Sequence, residues 1–388
     1  MLSQATIDEK LLMKKIQMVD LKSQYEKIKD VVNASIQEVL DTTTFINGPE
    51  VQKFQKNLEA YLNVKHVIPC ANGTDALQIA MMGLGLKPGD EVITADFTFA
   101  ATVETIALLQ LTPVLVDVDI VNMNIDVEAI KRAITPKTKA IIPVHLFGRA
   151  ANMEAVMRIA KEYNLFVIED NAQAIGANCR FSDGSKHKAG TIGHVGSTSF
   201  FPSKNLGCYG DGGAIFTNDD ALAHTLRGIV NHGMYERYHH DVVGVNSRLD
   251  SIQAAVLNAK LPLLDQYSKA RQNAARKYTT ALQNHPNIVA PSICDICDCH
   301  VFHQYTLRII DADRNALMQH LLDNGIPCAI YYPIPLHSQK AYVDTRYKEE
   351  DFPITNQLVK EVLSLPMHTE LDDEQIIFIT KTILDFLG

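Results

Sequence analysis

Lys204 sits in the run GSTSFFPSKNLGCYGDGGAIFT, Gly196 to Thr217, with no other cation in that stretch. An ammonium is costly to desolvate, so a lysine flanked by Phe200, Phe201 and Leu206 has two readings. Its stem can lie on apolar surface with its head in water. Alternatively, burial lowers its pKa and leaves a neutral amine able to attack a carbonyl carbon. Other segments offer such an amine its partners. Asp170 ends LFVIED; a carboxylate at the carboxyl end of a strand can keep a ring nitrogen protonated, or simply cap the next helix. The stretch Ala71-Asn72-Gly73-Thr74-Asp75-Ala76-Leu77 falls where a strand gives way to a helix. Free amides and the helix dipole make an anion site there, and a plain N-cap by Thr74 or Asn72 is the simpler account. Phe97, after EVITA, can stack on a planar ligand or pack in the core. Gln173 and His145 also fall near strand ends, where a lone histidine is more often structural than catalytic.

Each of these features is unspecific alone. Together, an amine, a carboxylate for a pyridinium nitrogen, a helix N-terminus for a phosphate and a stacking aromatic are the parts of a pyridoxal-phosphate site.

Such parts meet only if strand ends converge. Residues 15–62 read as amphipathic helices broken by the Asn47-Gly48-Pro49 turn. From residue 64 short apolar runs alternate with helical patterns: VKHVIPC (64–70), EVITA (91–95), PVLVDVD (113–119), KAIIPVHLF (139–147), LFVIED (165–170), STSFFP (197–202) and GGAIFTN (212–218). That alternation predicts an α/β architecture with a large, mostly parallel sheet covered on both faces. After residue 262 the texture changes. A helical stretch over 247–284, interrupted at Pro262, leads to a strand over 303–310, a helix over 314–324, a strand CAIYY over 328–332 and two further helices. The expected organisation is a large α/β domain over 15–262 and a smaller α+β domain over 263–388, with residues 1–14 as a weakly structured leader.

The net charge of −9 disfavours nucleic acid and anionic membrane as partners. It does not exclude a phosphorylated ligand, which a helix N-terminus can bind. The N-terminus lacks the apolar core of roughly 7–15 residues that a signal peptide needs. No apolar run approaches the ~20 residues of a membrane span. Seven scattered cysteines fit a reduced, cytoplasmic chain.

From about Val19 to residue 385 the chain resembles the DegT/DnrJ/EryC1/StrS sugar aminotransferases. The resemblance is carried by ANGTDAL, IEDNAQAIGA, SFFPSKNLGCYGDGGAIFTND, VGVNSRLDSIQAAVL, YYPIPLHSQKAY and LSLPMH. It implies a fold-type I pyridoxal 5′-phosphate-dependent transferase, with a seven-stranded sheet and a smaller C-terminal domain. By this resemblance Lys204 carries the cofactor and serves as general base, and Asp170 pairs with the pyridine nitrogen. Phe97 stacks on the ring, Gly73, Thr74 and Ser199 hold the phosphate, and Gln173 contacts the 3-hydroxyl. It further implies a homodimer with shared sites, in which Asn246 reaches the neighbouring subunit's cofactor phosphate. Relatives that dehydrate sugars carry histidine in place of this lysine, so Lys204 argues for transamination, with L-glutamate as donor.

Within the family the motifs look most like enzymes that aminate C3 of UDP-2-acetamido-2-deoxy-3-oxo-glucuronate for surface polysaccharide. The sugar carboxylate would there pair with Arg248, a fixed bidentate guanidinium; a salt bridge at the start of a helix is the plainer reading. Amination at C4 of a 4-keto-6-deoxy nucleotide sugar and a non-catalytic regulatory protein are the alternatives. Tyr331 stands where relatives commonly carry histidine, while Tyr332 and His337 keep their places as expected substrate contacts. The cluster Cys294, Cys297, Cys299, His300 and His303 has zinc-like spacing but lacks two further spaced ligand pairs, so no metal is expected and the thiols read as solvent-facing loop residues.

Overall fold

The computed structural model describes residues 15–293 and 299–388. The expected leader and the thiols of Cys294 and Cys297 lie outside them. Asp20 caps the first helix, α1 (Leu21–Thr42), by accepting from the Ser23 amide at 2.9 Å. Pro49 opens α2 (Pro49–Leu62), where a missing N–H costs nothing. Strands and helices then alternate as β1 (His66–Cys70), α3 (Gly73–Gly83), β2 (Glu91–Ala95), α4 (Ala101–Leu108), β3 (Thr112–Val116), α5 (Val127–Ala133), β4 (Thr138–Ile142), α6 (Met153–Tyr163) and β5 (Phe166–Asp170). A hairpin of β6 (Asn178–Arg180) and β7 (Lys186–Lys188) precedes β8 (Val195–Ser199) and β9 (Gly213–Thr217). After α7 (Asp220–Ile229) come a second hairpin, β10 (Met234–Glu236) with β11 (His239–His240), and the helices α8 (Ser251–Lys260) and α9 (Leu264–Leu282).

One seven-stranded sheet has the order β1-β9-β8-β5-β4-β2-β3. The run from β3 to β8 is parallel, and β9 pairs antiparallel with both β8 and β1. The mostly parallel α/β fold expected from the sequence is therefore present. Alternate residues of β5 feed opposite cores, Val167 on one face and Ile168 on the other. Glu169 continues the first side: its carboxylate accepts from the amides of Gly190 at 2.7 Å and of Ile192 and Gly193 at 2.6 Å. Asp170 turns to the other side and ends the strand.

The remaining chain forms β12 (Ile288–Val289), β13 (Tyr305–Ile309), α10 (Arg314–Asp323), α11 (Pro353–Glu361), β14 (Val362–Leu365) and α12 (Asp373–Leu387). The antiparallel sheet β12-β13-β14 shares an apolar core with α9, α10 and α12, including Tyr278, Leu307, Leu317, Leu363 and Ile379. Two expectations are corrected here. CAIYY makes only an isolated bridge, Ala329 to Ser364, before Pro333 and Pro335 deny the chain further amide donors. The third strand is instead Val362–Leu365, which follows α11 with no turn residue between them. The helix expected from residue 247 begins at Ser251, because the residues before it are held in extended form.

Cys70, Cys208 and Cys328 are free thiols among the described residues, the first two buried and the third half-buried. Among those residues no helix is long and apolar enough to cross a membrane, and no group of His, Cys, Asp and Glu could hold a metal ion. Cys299 is half-buried rather than solvent-facing, and His300 and His303 are buried in the protein.

Glu169→Gln would turn an amide NH2 toward N–H donors that now face a carboxylate. We expect a loss of about 2–3 kcal/mol, read as a lower thermal melting temperature. A melt superimposable on the wild type would contradict this account of the strand end.

Candidate active site

The carboxyl ends of β1, β2, β4, β5 and β8 border a cavity of about 880 Å³. Gly73, Thr74, Asp170, Gln173, Ser199, Lys204 and Tyr332, all expected from the sequence, line it.

At β1 the chain turns through Asn72 into α3. The Asn72 side chain accepts from the Asp75 amide at 2.8 Å, while the amides of Gly73 and Thr74 find no protein acceptor among the described residues. First-turn amides left in this way favour an anion. Glycine is required at two close approaches. A Cβ on Gly73 would lie 2.8 Å from Ser199 Cβ, and one on Gly213 would lie 2.3 Å from the Asn72 carbonyl oxygen.

Asp170 is held on two sides. Thr102 Oγ1 donates to Oδ2 at 2.8 Å and the Ala172 amide to Oδ1 at 3.1 Å. Lys204 rides on the connection between β8 and β9. There Lys204 N–H donates to the Phe201 carbonyl and Cys208 N–H to the Phe200 carbonyl, both at 2.8 Å. Burial pushes the Lys204 amine down to about 8 from an ordinary 10.5, and nearby Asp170 acts the other way. Of the two readings of this lysine, the desolvated amine describes its setting. Its flanks divide, however: Phe200 and Leu206 are buried and Phe201 is exposed.

Gln173 accepts from the Phe147 amide at 2.6 Å and donates to Tyr332 Oη at 3.1 Å. The two residues thus tie the segment after β5 to the segment carrying Tyr331 and Tyr332. His303, not singled out as a site residue, also lines the cavity. Its Nδ1 is buried without a partner, and burial with the charges of Lys204 and Arg271 holds the ring neutral.

Several expected residues are elsewhere. Phe97 is only 1% exposed and packs edge-on against Phe147 and Tyr332, with ring centroids 6.3 and 6.0 Å apart. The core that holds Val116 and Val118 claims it. Of the two phenylalanines that follow β2, it is Phe99, 57% exposed, that lines the cavity. Two aromatics in ADFTFAAT were visible in the sequence, but only the bend of the loop selects between them. His145 is structural. Its Nδ1 accepts from the Ala151 amide at 3.1 Å, so Nε2 is the nitrogen that donates to Glu169 at 2.9 Å.

His337 also lies off the cavity wall. Its Nδ1 and its backbone amide both meet the Asp96 carboxylate at 2.7 Å, and its ring stacks on Phe352. Asn246 and Arg248 are likewise outside the cavity of their own chain. Ser247 between them is buried, donating to Asp75 at 2.6 Å and accepting from the Ala71 amide at 3.0 Å. Asn246 is exposed, and Arg248 has no ion-pair partner among the described residues, which leaves its plainer salt-bridge reading without a carboxylate.

Residues 26–384 match the model of the DegT/DnrJ/EryC1/StrS aminotransferase family. The chain belongs to that family. It is 46% identical over 361 residues to the UDP-2-acetamido-2-deoxy-3-oxo-D-glucuronate aminotransferase of Pseudomonas aeruginosa, covering 93% of this chain and 97% of that one. It is 45% identical over 376 residues to a pleiotropic regulatory protein of Geobacillus stearothermophilus, covering 96% and 98%. A solved DegT/DnrJ/EryC1/StrS aminotransferase from Brucella abortus superposes with a TM-score of 0.90 at 43% identity, covering 96% of this chain and 100% of that one.

This family member is a pyridoxal 5′-phosphate-dependent sugar aminotransferase. The cavity fits that cofactor on its own chemistry. Unpaired amides at an α3 terminus kept bare by Gly73 suit a phosphate, the doubly held Asp170 carboxylate suits a protonated ring nitrogen, and the lowered amine of Lys204 suits a carbonyl carbon.

In the cofactor-free protein, labelling of Lys204 by an amine-reactive reagent should rise with a midpoint near pH 8. A folded-state pKa below the unfolded value means that the protonated lysine opposes folding below pH 8. That opposition fades as pH climbs from about 8 to the ordinary 10.5. A labelling midpoint at the ordinary lysine value would refute desolvation.

Proposed function

We propose that this protein moves an amino group from L-glutamate to C3 of UDP-2-acetamido-2-deoxy-3-oxo-glucuronate, in the cytoplasm, for surface polysaccharide synthesis. The observation that carries the substrate reading is the likeness to the Pseudomonas aeruginosa enzyme over nearly the whole of both chains. An Arg248 guanidinium that no described carboxylate engages supports it, since a fixed fork is the group for a uronate.

The roles follow from positions. Gly73 and Thr74 amides and the Ser199 hydroxyl would hold the cofactor phosphate, Asp170 would keep the ring nitrogen protonated, and Phe99 would cover the ring face. When bound, the cofactor supplies an electrophilic carbon and an electron sink. Lys204, once its amine is released, takes the Cα proton of glutamate and delivers a proton to the acceptor carbon in the second half-reaction. An amine lowered to about 8 is suited to both directions near neutral pH. Gln173 aims Tyr332 into the cavity, where the phenol can meet the sugar. We take the protein to act as a homodimer, each subunit's Asn246 and Arg248 serving the other's cavity. Residues 15–262 form the cofactor-binding domain in this reading and 263–388 the smaller one.

A second reading, a cofactor-binding regulatory protein, is favoured by the likeness to the pleiotropic regulatory protein. Retention of both Lys204 and Asp170 in one cavity weighs against it.

Lys204→Ala should lower turnover by about 10³-fold or more and abolish the visible absorbance of bound cofactor. Unchanged turnover would remove the lysine from the chemistry. Arg248→Ala should lower kcat/KM on the 3-keto-uronate by about 10- to 100-fold, and on a 4-keto-6-deoxy nucleotide sugar hardly at all. Equal losses on both sugars would eliminate the carboxylate role.

A further inference from the structure

Among the described residues one lysine is buried far more fully than Lys204, and it touches the turn that carries Lys204. Lys260, the last residue of α8, is 1% exposed, and its Nζ donates to the Gly207 carbonyl at 2.7 Å. The Tyr209 ring lies over the ammonium, 4.5 Å from it. No carboxylate pairs with it among the described residues. A buried cation with one carbonyl and one ring for company is costly to keep, because neither restores what water supplied. Burial accordingly pushes its pKa down to about 8. An aliphatic residue would fill the same space with less penalty, so the ammonium needs a reason to be there.

The reason lies in what it holds. Residues 200–208 form a closed turn with Lys204 near its tip. Cys208 seals the base twice, its amide donating to the Phe200 carbonyl at 2.8 Å and its thiol at 3.0 Å. Gly207 runs so close to the returning chain that a Cβ there would lie 2.3 Å from the Pro202 carbonyl oxygen. The outer limb of the turn is gripped by one helix. Gln253 on α8 accepts from the Tyr209 amide at 2.9 Å, and Lys260, seven residues along the same helix and so on the same side, takes the Gly207 carbonyl.

We propose that Lys260 is a positioning residue: its ammonium and the Gln253 side chain fasten the Lys204 turn to α8, setting where the Lys204 amine stands in the cavity. The inference rests on the reading of Lys204 as the reacting amine. It has a mechanical corollary. The α8 helix begins three residues after Arg248, so the segment assigned to the neighbouring subunit's site and the turn bearing this subunit's own lysine share one rigid element.

The test begins with the full-length cofactor-free protein, in which no turnover is involved. In Lys260→Met, amide hydrogen exchange at residues 203–209 should quicken at least 10-fold, while β5 and β8 keep wild-type protection. Lys204 labelling should lose its titration near pH 8 and drift toward that of exposed lysines. In the loaded enzyme kcat should fall about 10- to 100-fold with KM for the sugar changed less than 3-fold, and Lys260→Arg should recover part of the loss. Should Lys260→Met fail to fold, Gln253→Leu breaks the other grip and should quicken exchange at Tyr209 and its neighbours. Wild-type exchange and labelling in Lys260→Met would overturn the proposal. So would a uniform rise in exchange across the sheet with no excess at 203–209, which would make Lys260 a general stabiliser. Failure of the Lys204→Ala prediction would instead strike the function reading, so the two can fail separately.

Discussion

Two neighbouring carboxylates at the end of β5 set the layout of the cavity. Because successive side chains of a strand point to opposite faces, Glu169 and Asp170 cannot serve the same space. Glu169 is consumed by three amides and a histidine, which fixes the 190–193 turn below the cavity. Asp170 is left to the cavity, braced by Thr102 and Ala172. A single-residue slip of β5 would turn both to the opposite faces, so that either the amides would lose their carboxylate to Ile168 or the cavity would lose its own to Asn171. The parallel strands on either side of β5 oppose such a slip.

Around this pair two buried cations, Lys260 and Arg271, have no carboxylate partner among the described residues, and the half-buried Lys204 faces Asp170. Lys204 borders the cavity, Lys260 holds a carbonyl, and Arg271 spends its guanidinium on the carbonyls of Phe302, His303 and Met367. In each case burial lowers the pKa. Backbone carbonyls stabilise a cation less than a carboxylate does, yet they leave Asp170 as the anion facing Lys204. Two of the three cations fasten loops that border the cavity, Lys260 the turn of Lys204 and Arg271 the turn of His303. The Lys204 and His303 turns are thus held by hydrogen bonds from outside the cavity, and its wall stays open for ligand.

Much of this was legible beforehand, and the failures have physical causes. The seven sheet strands were readable because parallel strands covered on both faces are short apolar runs with helices between them. Strand Val362–Leu365 was hidden because it follows a helix without a break, and CAIYY misled because β-branched and aromatic residues also suit a segment that turns into a cavity. Phe97 was expected at the cavity, and it packs in the core while Phe99 lines the wall, for a similar reason. Both are aromatics after the same strand, and only the curvature of the loop sends one into the core. His337 looked like a substrate contact by its motif, yet Asp96 takes it; nothing local in the sequence announces a partner 241 residues away.

The sequence alone pointed to groups that line the cavity and to their order: a lysine among small and aromatic residues, a carboxylate at a strand end and a glycine-threonine helix start. Those are properties of residue type and local period, which the chain carries in any few consecutive residues. Tertiary structure decided which groups share a space and how firmly they are held. Phe99 rather than Phe97 at the cavity, Glu169 turned away from it, and Lys260 fastening the Lys204 turn all depend on contacts between segments far apart in the chain. Desolvation, which gives Lys204 its lowered pKa, exists only once those segments have packed around it.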